Sequence, residues 1–215
     1  MNIMKKIKMA GLFLALFVSI GTTTEAAGTH TVNEGETLWE IAMDHGVSVV
    51  DIKDENGKNS GHVNTGETLA LPSGVSAQDQ ELMARLVHAE AKGESYTGKV
   101  AVATVVLNRV ASSDFPDSIE GVVYDVSATG YPSFSPVGNG EINKPADAES
   151  MRAVKEAIAF EGQGYGSLYF YNPNKASNHW IATRETTTVI GKHVFAGNKI
   201  LPGPNVLRQV FLLLT

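Results

Sequence analysis

The chain has 215 residues, 43% hydrophobic and 19% charged, enough apolar material for the core of one domain or two and too much for a disordered polymer. Its 17 Lys and Arg stand against 23 Asp and Glu, a net charge of -6, so no basic footprint marks nucleic acid as a partner. Cysteine is absent, which removes disulfides, thiolate zinc sites and cysteine nucleophiles.

At the N-terminus, Lys5, Lys6 and Lys8 precede an apolar run from Met9 to Ile20 and then small polar residues, the order of a signal peptide. The run is about 12 residues, short of the roughly 20 that a spanning helix needs. Thr24 and Ala26 sit at the -3 and -1 positions, which places cleavage after Ala26. Losing residues 1–26 removes three lysines and Glu25 and leaves a net charge of -8. The expectation is an exported protein with no stable membrane insertion after processing.

From His30 to Pro72 the pattern reads strand, helix, helix, strand. "HTV" is a short strand cut off by Gly35; Leu38, Ile41 and Ala42 then recur at helical spacing until Gly46. Ser48 with Asp51 three residues later starts a second helix, which Asn56 and Gly57 end. "TLALP" alternates like an edge strand closed by Pro72. A unit of about 43 residues lies near the lower size limit for independent folding, so its apolar side chains belong to its own core and a ligand must be met by loops and main chain. Trp39 reads as packing in so short a helix, although an indole is also a sugar-stacking platform.

This segment, assigned to residues 29–72, resembles a LysM domain over essentially its whole length, at Val32, Gly35, Glu36, Thr37, Leu38, Ile41, Ala42, Val47, Asn56, Gly66, Leu69 and Pro72. The resemblance implies binding of N-acetylglucosamine-containing glycans such as peptidoglycan. The implied groove is lined by Gly35, Glu36, Thr37 and Leu38 on one side and by Val63, Asn64 and Thr65 on the other. The alternative is a βααβ spacer or protein contact. "SGVSAQD", residues 73–79, reads as a linker, and a second domain is assigned to residues 80–197.

That domain begins with a helix over Gln78 to Lys92. Leu82, Met83, Leu86, Val87 and Ala89 form its apolar stripe, and Glu90 emerges on the stripe, four residues after Leu86 and three after Val87. Gly93 ends the helix, so Glu90 lies in the last turn, where unpaired carbonyls disfavour a carboxylate. Desolvation acts in the same direction, toward a protonated acid. An unperturbed glutamic acid, with a pKa of about 4.3, is almost wholly ionised at neutral pH, so a general acid needs such help. A purely structural role, accepting bonds from Arg85, Lys92 or a backbone amide, is the alternative. Glu94, just beyond Gly93, is a second carboxylate that spacing alone leaves as the acid's partner, a loop-ordering group or the catalyst itself.

Further along, "SYTGKVAVATVVLNRV" is rich in β-branched residues, but Ser95 as cap favours a second helix. "ADAESMRAVKEAIAF" is a scaffold helix, "SFSPVGNGE" a turn-rich loop, and "LYFYNP" and "TTVIGKHVF" short strands with a tight turn at Gly191 and Lys192. Phe134, Ser135, Tyr169, Tyr171, Asn172 and Trp180 are the candidates to stack on or bond to sugar rings.

The motifs "RLVHAEAKGESYTGKVAVATVVLNRV", "SIEGVVYD", "FSPVGNGEI", "LYFYNP" and "IGKHVFA" occur in one order between Leu82 and Ala196. Together they resemble the catalytic domain of SleB/CwlJ-type cell wall hydrolases. The resemblance implies an α+β chain, a LysM module followed by a lysozyme/lytic-transglycosylase-like domain, with Glu90 as the acid that cleaves peptidoglycan glycan strands. One carboxylate suffices if it protonates the bridge oxygen and then takes the proton of the muramic C6 hydroxyl, forming a 1,6-anhydro ring. No cofactor is implied and the sequence names no accessory protein. Two rival classes are a metal-dependent amidase built on His88, His179 and His193, against which no HExxH pair occurs, and a non-catalytic wall-binding protein. The tail, residues 198–215, leaves the family pattern, and its "VFLLL" is too short to cross a membrane.

Overall fold

The computed structural model describes residues 28–127, 130–161, 166–176 and 180–200. The leader reading, His179 and residues 201–215 of the tail lie outside the described residues.

The first module is β1 (Thr29–Thr31), α1 (Leu38–His45), α2 (Val49–Glu55) and β2 (Thr68–Ala70). The two strands pair antiparallel with His30 opposite Leu69. Each helix starts where its capping residue stands. Thr37 closes a reciprocal capping box with Glu40, and the Ser48 hydroxyl accepts the Asp51 N–H at 2.9 Å. Gly46 ends α1 at φ +63°, a left-handed conformation that favours glycine. Leu38, Ile41, Ala42, Ile52 and Leu69 are almost fully buried and form the core. The Asn56 side chain fastens α2 to β2, donating to Ile52 O and Ala70 O at 2.7 Å each and accepting the Ala70 N–H at 2.8 Å.

The second module is mixed α+β. Its helices are α3 (Ala77–Glu90), α4 (Tyr96–Val110), α5 (Ile119–Val123), α6 (Ser135–Asn139) and α7 (Ala148–Ala159), followed by β3 (Tyr169–Tyr171), β4 (Arg184–Ile190) and β5 (His193–Ile200). α3 starts inside the segment read as linker, because the Ser76 hydroxyl accepts the Asp79 N–H at 3.1 Å and makes Ala77–Asp79 its first turn. The β-branched α4 is helical, capped by Ser95; Val102, Val105 and Val106 are fully buried among α3 and α7, so packing overrides propensity.

The expected loop at Phe134–Glu141 is instead the short helix α6 followed by a 3-10 turn, with Pro136 in the first helical turn and Gly140 ending it at φ +83°. The strands order β3-β5-β4, all antiparallel, with Phe170 opposite Phe195 and Ile190 opposite His193 across the Gly191–Lys192 turn. Phe195 joins the helical core with Met83, Leu86 and Ile158, which packs the sheet against the helices.

Candidate active site

Glu90 is the last residue of α3, half-buried, and Ala91 caps the helix. The Ser135 hydroxyl, at the start of α6, donates to Glu90 Oε1 at 3.4 Å. Burial pushes the Glu90 carboxyl up from its ordinary value; the Ser135 hydrogen bonds and the charge of Arg109 act against that push. The two candidates Glu90 and Ser135, 45 positions apart in sequence, thus meet.

Behind them lies a residue that the sequence reading did not select. Arg109, on α4, is only 7% exposed. Its guanidinium carbon stands 4.8 Å from the Phe134 ring centroid, 4.9 Å from that of Phe115 and 5.7 Å from that of Tyr169, and Nε donates to Leu168 O at 2.8 Å. Burial draws the guanidinium down from its ordinary value, while Tyr169, Asp125 and Glu90 oppose that shift. One signal in the sequence could have found it: Arg109 falls three and four residues after Val106 and Val105, an arginine on the buried stripe of α4.

Phe134, 2% exposed, lies beneath the surface and holds Arg109 and Phe170 instead of facing solvent. Tyr169 and Tyr171 share one face of β3 and are half-buried. Trp180 is 46% exposed, meets Tyr169 edge to face at 5.2 Å, and lies against the Arg184 guanidinium at 4.4 Å. Asn172 O accepts the N–H groups of Lys175 and Ala176, and its Oδ1 accepts that of Asn174, so it organises the turn after β3.

Glu94 turns the other way. Its side chain is 7% exposed, Oε2 accepts the Lys192 N–H at 3.2 Å, and Oε1 lies 3.9 Å from His193 Nδ1. A Cβ on Gly191 would stand 2.5 Å from Oε2. Glu94 therefore orders the β4–β5 turn. His88 Nδ1 pairs with Asp147 at 3.2 Å, which also holds the buried Lys99 at 3.4 Å. Among the described residues no three His, Asp or Glu side chains converge in a metal-holding arrangement.

In the first module the two expected groove walls are adjacent. Past the β1–β2 pairing, Val32 N–H donates to Glu67 O and Gly66 N–H to Val32 O, both at 2.8 Å, which sets the loop of Gly35, Glu36 and Thr37 beside that of Val63, Asn64 and Thr65. Glu36 Oε2 accepts from Asn33 N at 2.9 Å and meets His30 Nε2 at 2.7 Å, and the Asn64 N–H is tied to Glu67 at 3.0 Å. Leu38 is 2% exposed and belongs to the core of the module instead of lining a groove.

The chain is thus a two-module protein, a βααβ module joined to an α+β domain that presents one half-buried carboxyl beside a hydroxyl, with a guanidinium buried among rings behind it. Residues 30–72 match the LysM domain and residues 93–196 match the Cell Wall Hydrolase family. The chain is 41% identical over 125 residues to a spore cortex-lytic enzyme of Halalkalibacterium halodurans, covering 58% of this chain and 36% of that one. It is also 41% identical over 139 residues to a spore cortex-lytic enzyme of Oceanobacillus iheyensis, covering 64% and 48%. It thus spans less than half the length of either relative. The solved catalytic domain of the germination-specific lytic transglycosylase SleB from Bacillus anthracis is 39% identical, with a TM-score of 0.52, over 59% of this chain and 99% of that one. The chain belongs to the Cell Wall Hydrolase family, with a LysM domain ahead of a domain homologous to the SleB spore cortex-lytic enzymes.

Proposed function

We propose that this protein is an exported, wall-associated enzyme that cleaves the N-acetylmuramic acid to N-acetylglucosamine linkage of peptidoglycan as a lytic transglycosylase, while its LysM groove holds the glycan. The observation that carries the reading is Glu90: a carboxyl held toward its protonated form by burial, at a helix terminus, with Ser135 as its hydrogen-bond partner. Such a group can give a proton to the bridge oxygen and, once ionised, accept the proton of the muramic C6 hydroxyl as that oxygen closes on C1. The bond between C1 and the bridge oxygen breaks, and the proton from Glu90 leaves on the released N-acetylglucosamine 4-hydroxyl. Glycosidases that use water place a second carboxylate across the bond. Glu94, almost fully buried and with Oε2 taken by the Lys192 N–H of the β4–β5 turn, is poorly suited to that task. Tyr169, Tyr171 and Trp180 are the assigned contacts for sugar rings, with Arg109 and Phe134 as support beneath them.

The test is digestion of purified sacculi followed by mass analysis. Products ending in 1,6-anhydro-muramic acid, and their loss in Glu90→Gln with wall binding intact, are the expected result. Reducing ends alone would replace transglycosylation by hydrolysis, and full activity of Glu90→Gln would remove the assigned acid.

A further inference from the structure

The two modules are joined by more than chain connectivity. Ala159, the last residue of α7, is fully buried in the LysM core beside Leu38, Ile41 and Ala42. The next residue, Phe160, meets Trp39 of α1 edge to face with centroids 4.8 Å apart. The connection between modules is itself packed. Val75 N–H donates to Gly46 O at 2.8 Å, Gln80 Nε2 donates to Val75 O at 2.7 Å, and a Cβ on Gly74 would stand 2.6 Å from His45 O. A short peptide so fastened is not a flexible linker.

α7 also reaches the candidate active site. Asp147, its N-cap, binds His88 in the last turn of α3, two residues before Glu90. The 12 residues of α7 make a strut of roughly 18 Å at the usual helical rise. One end of it bears the LysM module and the other the helix end of the acid. The docked helix α1 is the one whose N-terminus, capped by Thr37, forms a wall of the groove.

We propose that the LysM groove is a fixed distal subsite of the catalytic cleft: one glycan strand is held by both across the span of α7, and the enzyme selects polymeric strands over fragments too short to reach both. This deepens the function proposed above and rests on it. A flexible tether raises local concentration on any wall fragment, whereas a fixed span favours only ligands that match it.

The experiment uses the full chain and the double variant Trp39→Ala with Phe160→Ala, neither residue belonging to the groove or the acid's surroundings. Long glycan strands freed of stem peptides are compared with fragments of two disaccharides. Undocking is expected to lower kcat/KM on long strands about tenfold, less than the full bivalent gain of roughly 10²–10⁴ because the modules stay covalently joined, with short fragments cleaved within about twofold of the wild-type rate. An unchanged rate on long strands, or equal losses on both substrates, overturns the proposal. Nuclear spin relaxation of the wild type is the check that needs no variant: one tumbling time for both modules is expected, and two independent times overturn it. Wild-type activity of Glu90→Gln on both substrates would instead sink the function beneath it, a failure that relaxation does not mimic.

Discussion

Replacing Arg109 tests how the site is supported. Its guanidinium lies 4.8 and 4.9 Å from the Phe134 and Phe115 centroids in a desolvated place, where such contacts contribute about 1–2 kcal/mol each. The Nε bond to Leu168 O, at 2.8 Å, adds about 1 kcal/mol, and more because a carbonyl loses its donor. Against this stands the burial of a charged group whose Nη1 has no hydrogen-bond partner among the described residues, a cost of about 1–3 kcal/mol that the substitution relieves.

The net expectation for Arg109→Ala, which also leaves a cavity, is a loss of about 3 kcal/mol. Arg109→Met keeps the volume and should lose under about 2 kcal/mol. Urea unfolding followed by tryptophan fluorescence measures both, since Trp180 sits in the same cluster of rings. In a chain of this size the alanine variant should melt about 10 °C lower. A loss below about 0.5 kcal/mol for Arg109→Ala would refute the reasoning. The methionine variant adds a second readout. Removing a positive charge that favours ionised Glu90 must push the carboxyl further up, so the alkaline limb of strand cleavage moves to higher pH; movement the other way refutes the electrostatic link.

Two more predictions concern the acid and the LysM core. Because burial raises Glu90 above its ordinary value, the folded state keeps that proton into a pH range where the unfolded chain has lost it, and ionising Glu90 at higher pH costs stability. Glu90→Gln should therefore raise the melting temperature at neutral pH, with the gain fading as pH falls below the ordinary carboxylate value; calorimetry that finds a pH-independent gain contradicts this. Asn56→Ala removes two bonds between α2 and β2 and one back to Ile52 within α2, about 3 kcal/mol in a module too small to lose it; hydrogen exchange should show the LysM amides opening first, and unchanged protection there would refute the assignment.

What the sequence revealed follows the range of the forces involved. The capping pairs at Thr37, Ser48 and Ser95 are local, and each helix starts where the pair stands. Glu90 was visible because a carboxylate on an apolar stripe is anomalous within a single helix. The support of Arg109 was not, since its three rings arrive from the segment after α4, the approach to α6 and β3. The role of Glu94 was equally hidden, because it depends on Gly191, 97 positions away, adopting φ +57° and presenting the Lys192 amide. α6 reads as a loop in the sequence because it lacks a side-chain cap and its Pro and Gly residues are turn formers. The docking of the modules involves Phe160, a residue 44% exposed that gives no periodic signal.

The division between Glu90 and Glu94 bears on mechanism. Four residues apart and both facing protein, they would pass in a sequence for an acid and base pair. Beyond the end of α3 the chain turns at Gly93, φ +80°, and this reversal sends Glu94 toward the β4–β5 turn while Glu90 stays at the helix end beside Ser135. One carboxyl has, among the described residues, only Ser135 as a hydrogen-bond partner and is held toward its protonated form by burial; the other has a backbone donor, a histidine ring 3.9 Å from its second oxygen and little solvent. A general base must reach water or substrate, and Glu94, with a side chain only 7% exposed and one oxygen bound to the turn, is badly placed to do so. In the function proposed above, one carboxylate serves the chemistry and its neighbour braces the turn, the division expected where the nucleophile is a hydroxyl of the substrate. Glu94→Gln is therefore expected to impair the turn more than the chemistry.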